Sequence, residues 1–143
     1  GVGSAIVASL AAAGANRLRL FDVHAEAAQA LARRMKQHYP QVAVEVGVND
    51  PAGMDLAVNA TPLGMNAGDP LPMDTGRLAA STFVGEVVMT GHTTAFLAAA
   101  QARGCRVQVG TDMLFEMIPA YLEFFGYPTT TADHLRAVAR LDA

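Results

Sequence analysis

Asp22 closes a short alternating run, Arg17-Leu18-Arg19-Leu20-Phe21, and follows the glycines of Gly1-Val2-Gly3 by about 20 residues, the spacing at which an acid after a strand reaches the ribose hydroxyls of an adenosine. A carboxylate there accepts from a 2′-OH and repels a 2′-phosphate, and Val23, His24 and Ala25 offer no Arg or Lys to welcome that phosphate. NAD is therefore expected over NADP. The glycines run straight into a helical stretch, where small residues let backbone N–H groups and a helix N-terminus approach a pyrophosphate. Both features have a plainer reading. Gly1-Val2-Gly3 also makes an ordinary turn before a helix, and Asp22-Val23-His24-Ala25-Glu26 is also a good capping sequence.

A third stretch, Asn59-Ala60-Thr61-Pro62-Leu63-Gly64-Met65, ends an apolar run in polar and turn-forming residues. Asn, Thr, Pro and Gly in this order predict a rigid tight turn with polar groups at the end of a strand. The other candidates are weaker. His92 precedes a helix and could act as a general base, but capping or solvent exposure serves it as well. His24, His38 and His134 lack Cys or carboxylate partners at ligand spacing, so no metal site is expected. Asp69 and Asp74 flank prolines and read as turn acids. Cys105 opens an apolar strand and reads as an inert core residue. Met113 and Met117 stand one helical turn apart, a spacing commoner in a core than in a binding site.

These residues need a scaffold, and the hydrophobic pattern supplies it. Helices are predicted over Ser4–Ala13, Ala25–His38, Thr93–Arg103, Thr111–Phe125 and Thr131–Leu141, the first buried on most sides. His92 or Thr93 is expected near the N-cap of the third, and Pro119 could kink the fourth. Strands are predicted over Arg17–Phe21, Val42–Val46, Asp55–Val58, Phe83–Met89 and Cys105–Val109, with Asn66–Thr75 a loop. Short apolar strands alternating with helices imply an α/β fold, a doubly wound parallel sheet with helices on both faces. Ligands of such sheets lie beyond the carboxyl ends of the strands. Gly1–Ser4, Asp22–His24, Asn59–Met65, Val88–Gly91 and Gly110–Met113 all fall there.

Composition narrows the function classes. With 143 residues, 52% of them hydrophobic and 16% charged, the chain fits one domain and is too apolar for disorder. A net charge of −3 without a basic run argues against nucleic acid. No apolar run reaches the roughly 20 residues of a membrane span, and a single Cys excludes an intrachain disulfide. A cytoplasmic protein is expected.

The string Asn59–Met65 is similar to the Asn-Ala-Thr-Pro-Leu-Gly-Met signature of the shikimate/quinate dehydrogenase family. Gly1-Val2-Gly3-Ser4-Ala5 resembles the second half of that family's Gly-x-Gly-Gly-x-Gly-x-Ala fingerprint. Glu86-Val87-Val88-Met89-Thr90-Gly91-His92-Thr93-Thr94 resembles its Asp-Val-Val-Tyr-Asn-Pro-x-x-Thr segment. Ala102-Arg103-Gly104-Cys105 with Gly110-Thr111-Asp112-Met113-Leu114 resembles its Ala-x-Gly-Cys and Gly-x-x-Met-Leu stretches.

The resemblance implies the C-terminal, Rossmann-type NAD(P)-binding domain of an oxidoreductase of aromatic amino acid biosynthesis or quinate metabolism. Gly1, Val2 and Gly3 would approach the pyrophosphate, and Asp22 with Val23 the adenosine ribose. Asn59, Ala60, Thr61 and Pro62, with Val87, Gly110 and Met113, would flank the nicotinamide. Met89 stands at the family's substrate-side Tyr and Met117 at the Gln that binds substrate hydroxyls; Met packs against a ring but cannot exchange hydrogen bonds with a polyol. The family's catalytic Lys and Asp lie in a separate N-terminal domain, and the only Lys here, Lys36, matches neither.

The expected partners are accordingly a cyclic hydroxy acid, the protein's own N-terminal domain and a second copy in a homodimer. Residues 1–143 are expected to form one N-terminally truncated dinucleotide-binding domain, without its first strand and inactive alone in hydride transfer. A non-catalytic dinucleotide-binding module and an S-adenosylmethionine-dependent methyltransferase are the rival readings. The latter also pairs a Gly-rich turn with an acid closing the second strand.

Overall fold

Leu18, Leu20, Ala57 and Val84, inward-facing residues of short apolar strands, are buried at the centre of two compact units, residues 1–50 and 51–143. The computed structural model describes residues 1–139. Its elements in chain order are α1 (Val2–Ala12), β1 (Arg17–Leu20), α2 (Ala25–His38), β2 (Ala43–Val46), β3 (Leu56–Asn59), a 3₁₀ turn (Thr75–Arg77), β4 (Phe83–Glu86), α3 (Ala95–Ala102), β5 (Arg106–Gln108), α4 (Gly110–Phe124) and α5 (Ala132–Val138). Every strand pairing is parallel, which with the crossing helices makes the fold α/β and Rossmann-like.

In the first unit β1 pairs with β2 in the register Arg17↔Ala43 to Leu20↔Val46. Ala28, Ala32 and Met35, one face of α2, close over Leu18 and Leu20 together with Val7, Ala11 and Val42. Arg19 and Glu45, opposite each other in the ladder, form an ion pair at 3.1 Å, and Arg19 also donates to Asp50 O at 2.6 Å. The helix expected to be buried on most sides is not: only Val7 and Ala11 of α1 are buried, and Val2 is exposed. Ala and Gly make a helix apolar in composition without giving it an apolar face, so a single i, i+4 stripe packs inward.

The second unit holds the sheet β3-β4-β5, with α3 crossing from β4 to β5. Phe96, Leu97 and Ala100 of α3 seal against Ala57, Val84, Leu78 and Cys105. The thiol of Cys105 donates to Ala79 O at 3.2 Å, a core role as expected. β4 is shorter than its apolar sequence predicts and ends at Glu86 rather than Met89. Its partner β3 stops at Asn59, and the last bond between them runs from Val87 N–H to Asn59 O at 3.1 Å. Val88 and Met89 have no strand on that side to pair with.

The N-cap of α3 is Thr94, one or two residues later than predicted, because its hydroxyl accepts from Leu97 N–H. A short 3₁₀ turn begins where a loop alone was expected, organised by Asp74 Oδ1 accepting from Gly76 N–H. α4 runs through Pro119. Residues 140 and 141 of the last predicted helix lie outside the described residues; α5 itself is joined to α4 by Arg136, which pairs with Asp112 and Glu116.

Candidate functional site

The residues singled out in the first unit sit at the start of α1 and in the turn between β1 and α2. Gly1 is the N-cap of α1, and its carbonyl accepts from Ser4 N–H at 3.1 Å, while Val2 and Gly3 form the first turn. The first N–H groups of any helix lack intrahelical acceptors, so an exposed first turn suits an anion. Asp22 follows the last residue of β1 by two and is exposed. Its Oδ1 accepts from the backbone N–H of His24, the N-cap of α2, at 2.8 Å. Both readings of Asp22 are therefore compatible with one geometry, since the turn uses one carboxylate oxygen. Val23 stands 82% exposed, an unusual position for a branched apolar residue with no partner to cover it.

The second unit builds its turn far more densely. Asn59, the last residue of β3, is 1% exposed. Its amide donates to Leu63 O at 2.9 Å, and its Oδ1 accepts from both the N–H (3.1 Å) and hydroxyl (2.6 Å) of Thr61. Leu63 N–H in turn donates to Thr61 Oγ1 at 3.1 Å. Ala60 is half-buried, whereas Thr61 and Pro62 face solvent. The turn exits through Gly64, in the left-handed region at φ +104°. Beyond it, Asp69 Oδ2 accepts from Gly64 N–H at 2.9 Å and Asn66 N–H at 3.1 Å. These two bonds, that of Asn66 foremost, hold the Asp69 carboxyl below the usual Asp range.

Behind this turn lies a buried carboxyl. Glu86 pairs with Asn59 across β3 and β4 and is buried. Thr94 Oγ1 lies 2.9 and 3.0 Å from its two oxygens, and the Asn59 side chain lies beside it across the ladder. Desolvation raises its affinity for a proton above that of an ordinary Glu, and the polar side chains of Thr94 and Asn59 offset part of the rise. Among the described residues no buried side-chain N or O is left without a partner.

Val87 is half-buried beside the same strand end. Gly110, the first residue of α4, is buried against the Val87–Val88 backbone. A Cβ at Gly110 would lie 2.7 Å from both carbonyl carbons and closer still to Val88 O, so only glycine allows this approach. Met113 and Met117 are half-buried along α4, and Met89 is 44% exposed. Asn59 to Pro62, Val87 and Gly110 are thus gathered at the carboxyl ends of β3 and β4. Glu86, Thr94 and Asp69 complete that arrangement and were not foreseen as parts of it. An acid inside the apolar predicted strand Phe83–Met89 was the available signal for Glu86.

No protein-family model matches the chain. The chain is 36% identical to the shikimate dehydrogenase (NADP(+)) of Paracoccus denitrificans over 95% of its own length and 49% of that protein's. It is also 36% identical to the quinate/shikimate dehydrogenase (NAD(+)) of Corynebacterium efficiens, over 88% of this chain and 46% of that one. It shares its fold with the quinate dehydrogenase of Corynebacterium glutamicum, solved in complex with NAD, at a TM-score of 0.82 and 33% identity over 96% of this chain and 50% of that one. The chain is a relative of the shikimate/quinate dehydrogenases and matches their cofactor-binding half. It spans about half the length of the curated relatives it matches. Homologues use either NAD or NADP. Among the described residues, no helix is long and apolar enough to cross a membrane.

Proposed function

We propose that the chain is the dinucleotide-binding part of an NAD-dependent oxidoreductase that interconverts a cyclic hydroxy acid and its keto form. The observation that carries the reading is the turn Asn59–Gly64. It is locked by side-chain bonds at a parallel strand end yet presents Thr61 and Pro62 to solvent. A surface that rigid and that exposed is preorganised to meet a ligand.

In this reading Gly1, Val2 and Gly3 receive the pyrophosphate at the start of α1, and Asp22 takes the adenosine ribose, favouring NAD. Val23 covers the adenosine side with apolar surface. Asn59, Ala60, Thr61 and Pro62 orient the nicotinamide end together with Val87, Gly110 and Met113. The close seat of Gly110 on the Val87–Val88 backbone fixes the start of α4 against that strand end. The dinucleotide supplies the hydride chemistry when bound, and the chain supplies binding and orientation. Met89 and Met117 face the substrate with thioethers, which favours a substrate less dependent on hydrogen bonds at those positions. The groups that move the substrate proton are provided outside these 143 residues, in a substrate-binding domain.

Titration of the chain with NADH, followed by nicotinamide fluorescence, tests the proposal. Saturable enhancement, competed by NAD and not by S-adenosylmethionine, is expected. Binding of S-adenosylmethionine with no response to NADH would replace the dehydrogenase reading with a methyltransferase one.

A further inference from the structure

Glu86 is an expensive residue to bury, and three observations bear on why it is there. It is 7% exposed, at the end of the central strand of its sheet. It reaches Thr94, whose hydroxyl also accepts the Leu97 N–H that starts α3. In the β3–β4 ladder it stands directly opposite Asn59, the residue on which the Thr61 and Leu63 bonds of the neighbouring turn depend. The Gly64 backbone passes close to the same threonine, since a Cβ there would lie 3.4 Å from Thr94 Cγ2. The turn and the first turn of α3 share one polar hub.

We propose that Glu86 is a positioning residue that couples the Asn59–Gly64 turn to the cap of α3, so that the two hold one geometry together. It touches no ligand in this account and acts through Asn59 and Thr94. A carboxyl suits the task because it accepts from the Thr94 hydroxyl while standing opposite Asn59, where an apolar side chain of equal size would fill the space and leave the Thr94 hydroxyl buried without its acceptor. The proposal rests on the structure of this turn. Only its consequence for affinity rests on the dinucleotide reading.

Amide hydrogen exchange on the full chain, without ligand, separates coupling from simple packing. Glu86→Met keeps the volume and removes both acceptors. It is expected to speed exchange at Thr61 and Leu97 by about fivefold or more, the loss of one net hydrogen bond. The ladder amides of β5 should change much less. Glu86→Gln, which can still accept from Thr94, should restore most of the protection. Thr94→Val is the second probe, and it should speed exchange at Thr61 although it lies on another element. NADH affinity should fall by a similar factor in Glu86→Met and recover in Glu86→Gln. Equal acceleration in β5 and in the turn would mean a packing role only and would overturn the proposal. So would a Thr94→Val effect confined to Leu97. Failure of the wild-type chain to bind NADH would overturn the dinucleotide reading and leave the exchange result to stand by itself.

Discussion

Asp22 and Asn59 both stand at the carboxyl ends of short parallel strands, yet the protein treats them in opposite ways. Asp22 is exposed and its structural bond is one short contact with His24 N–H. Asn59 is buried and carries the bonds of an entire turn, backed by Glu86 and closed by Asp69. The first arrangement leaves a charge free to choose a ligand by its sign. The second spends many hydrogen bonds on holding a backbone still. Recognition by charge tolerates a mobile carboxylate, whereas orientation of a reacting ring needs a support that does not give.

Five substitutions can break or sharpen this contrast. The largest effect is expected from Gly110→Ala. The new methyl meets backbone rather than the end of a flexible side chain, so the strain should cost about 1–3 kcal/mol or more of stability and abolish most dinucleotide affinity. Thermal unfolding and NADH titration together check it, and an unchanged melting temperature would refute the close seat. Thr94→Val comes next. Loss of a helix cap costs about 1 kcal/mol, and the deprived Glu86 carboxyl adds to it. Chemical denaturation reads the sum.

Asp22→Asn should leave stability within about 0.5 kcal/mol, as for an exposed site away from the core. Its effect belongs to ligand choice instead. Asp69→Asn is the smallest change and is best seen through pH. Its folded-state affinity for a proton is below the unfolded one, so its contribution is present above the ordinary Asp value of 3.8 and disappears as pH falls through the lower folded value. Glu86 has the opposite sign. Its contribution is greatest below 4.5 and is lost as pH rises through the higher folded value. The pH dependence of stability should therefore lose its acid-limb component in Asp69→Asn, and in Glu86→Gln the decline that sets in as pH rises above 4.5.

The contrast also explains how much could be read in advance. Helix α2 was predicted with its observed bounds, Ala25–His38, because helix formers, a periodic apolar face and Pro40 all agree there. The strands were placed within one or two residues except β4, whose length depends on where β3 stops, a fact about a neighbour rather than about its own residues. The composition of α1 likewise concealed how little of it would be buried. In the candidate site, Asn59–Met65 was legible as a motif, but the roles of Glu86 and Thr94 depend on a strand register that pairs Glu86 with Asn59. Asp69 was recognised as a turn acid, and only the fold shows which turn it closes.

The central claim, that the chain binds a dinucleotide and that Asp22 chooses its form, is tested most directly by the ratio of NADH to NADPH dissociation constants in wild type and Asp22→Asn. The account predicts tighter binding of NADH by the wild type, with the ratio collapsing toward unity when the charge is removed. NADPH bound as tightly as NADH by the wild type, or a ratio untouched by the substitution, would contradict it.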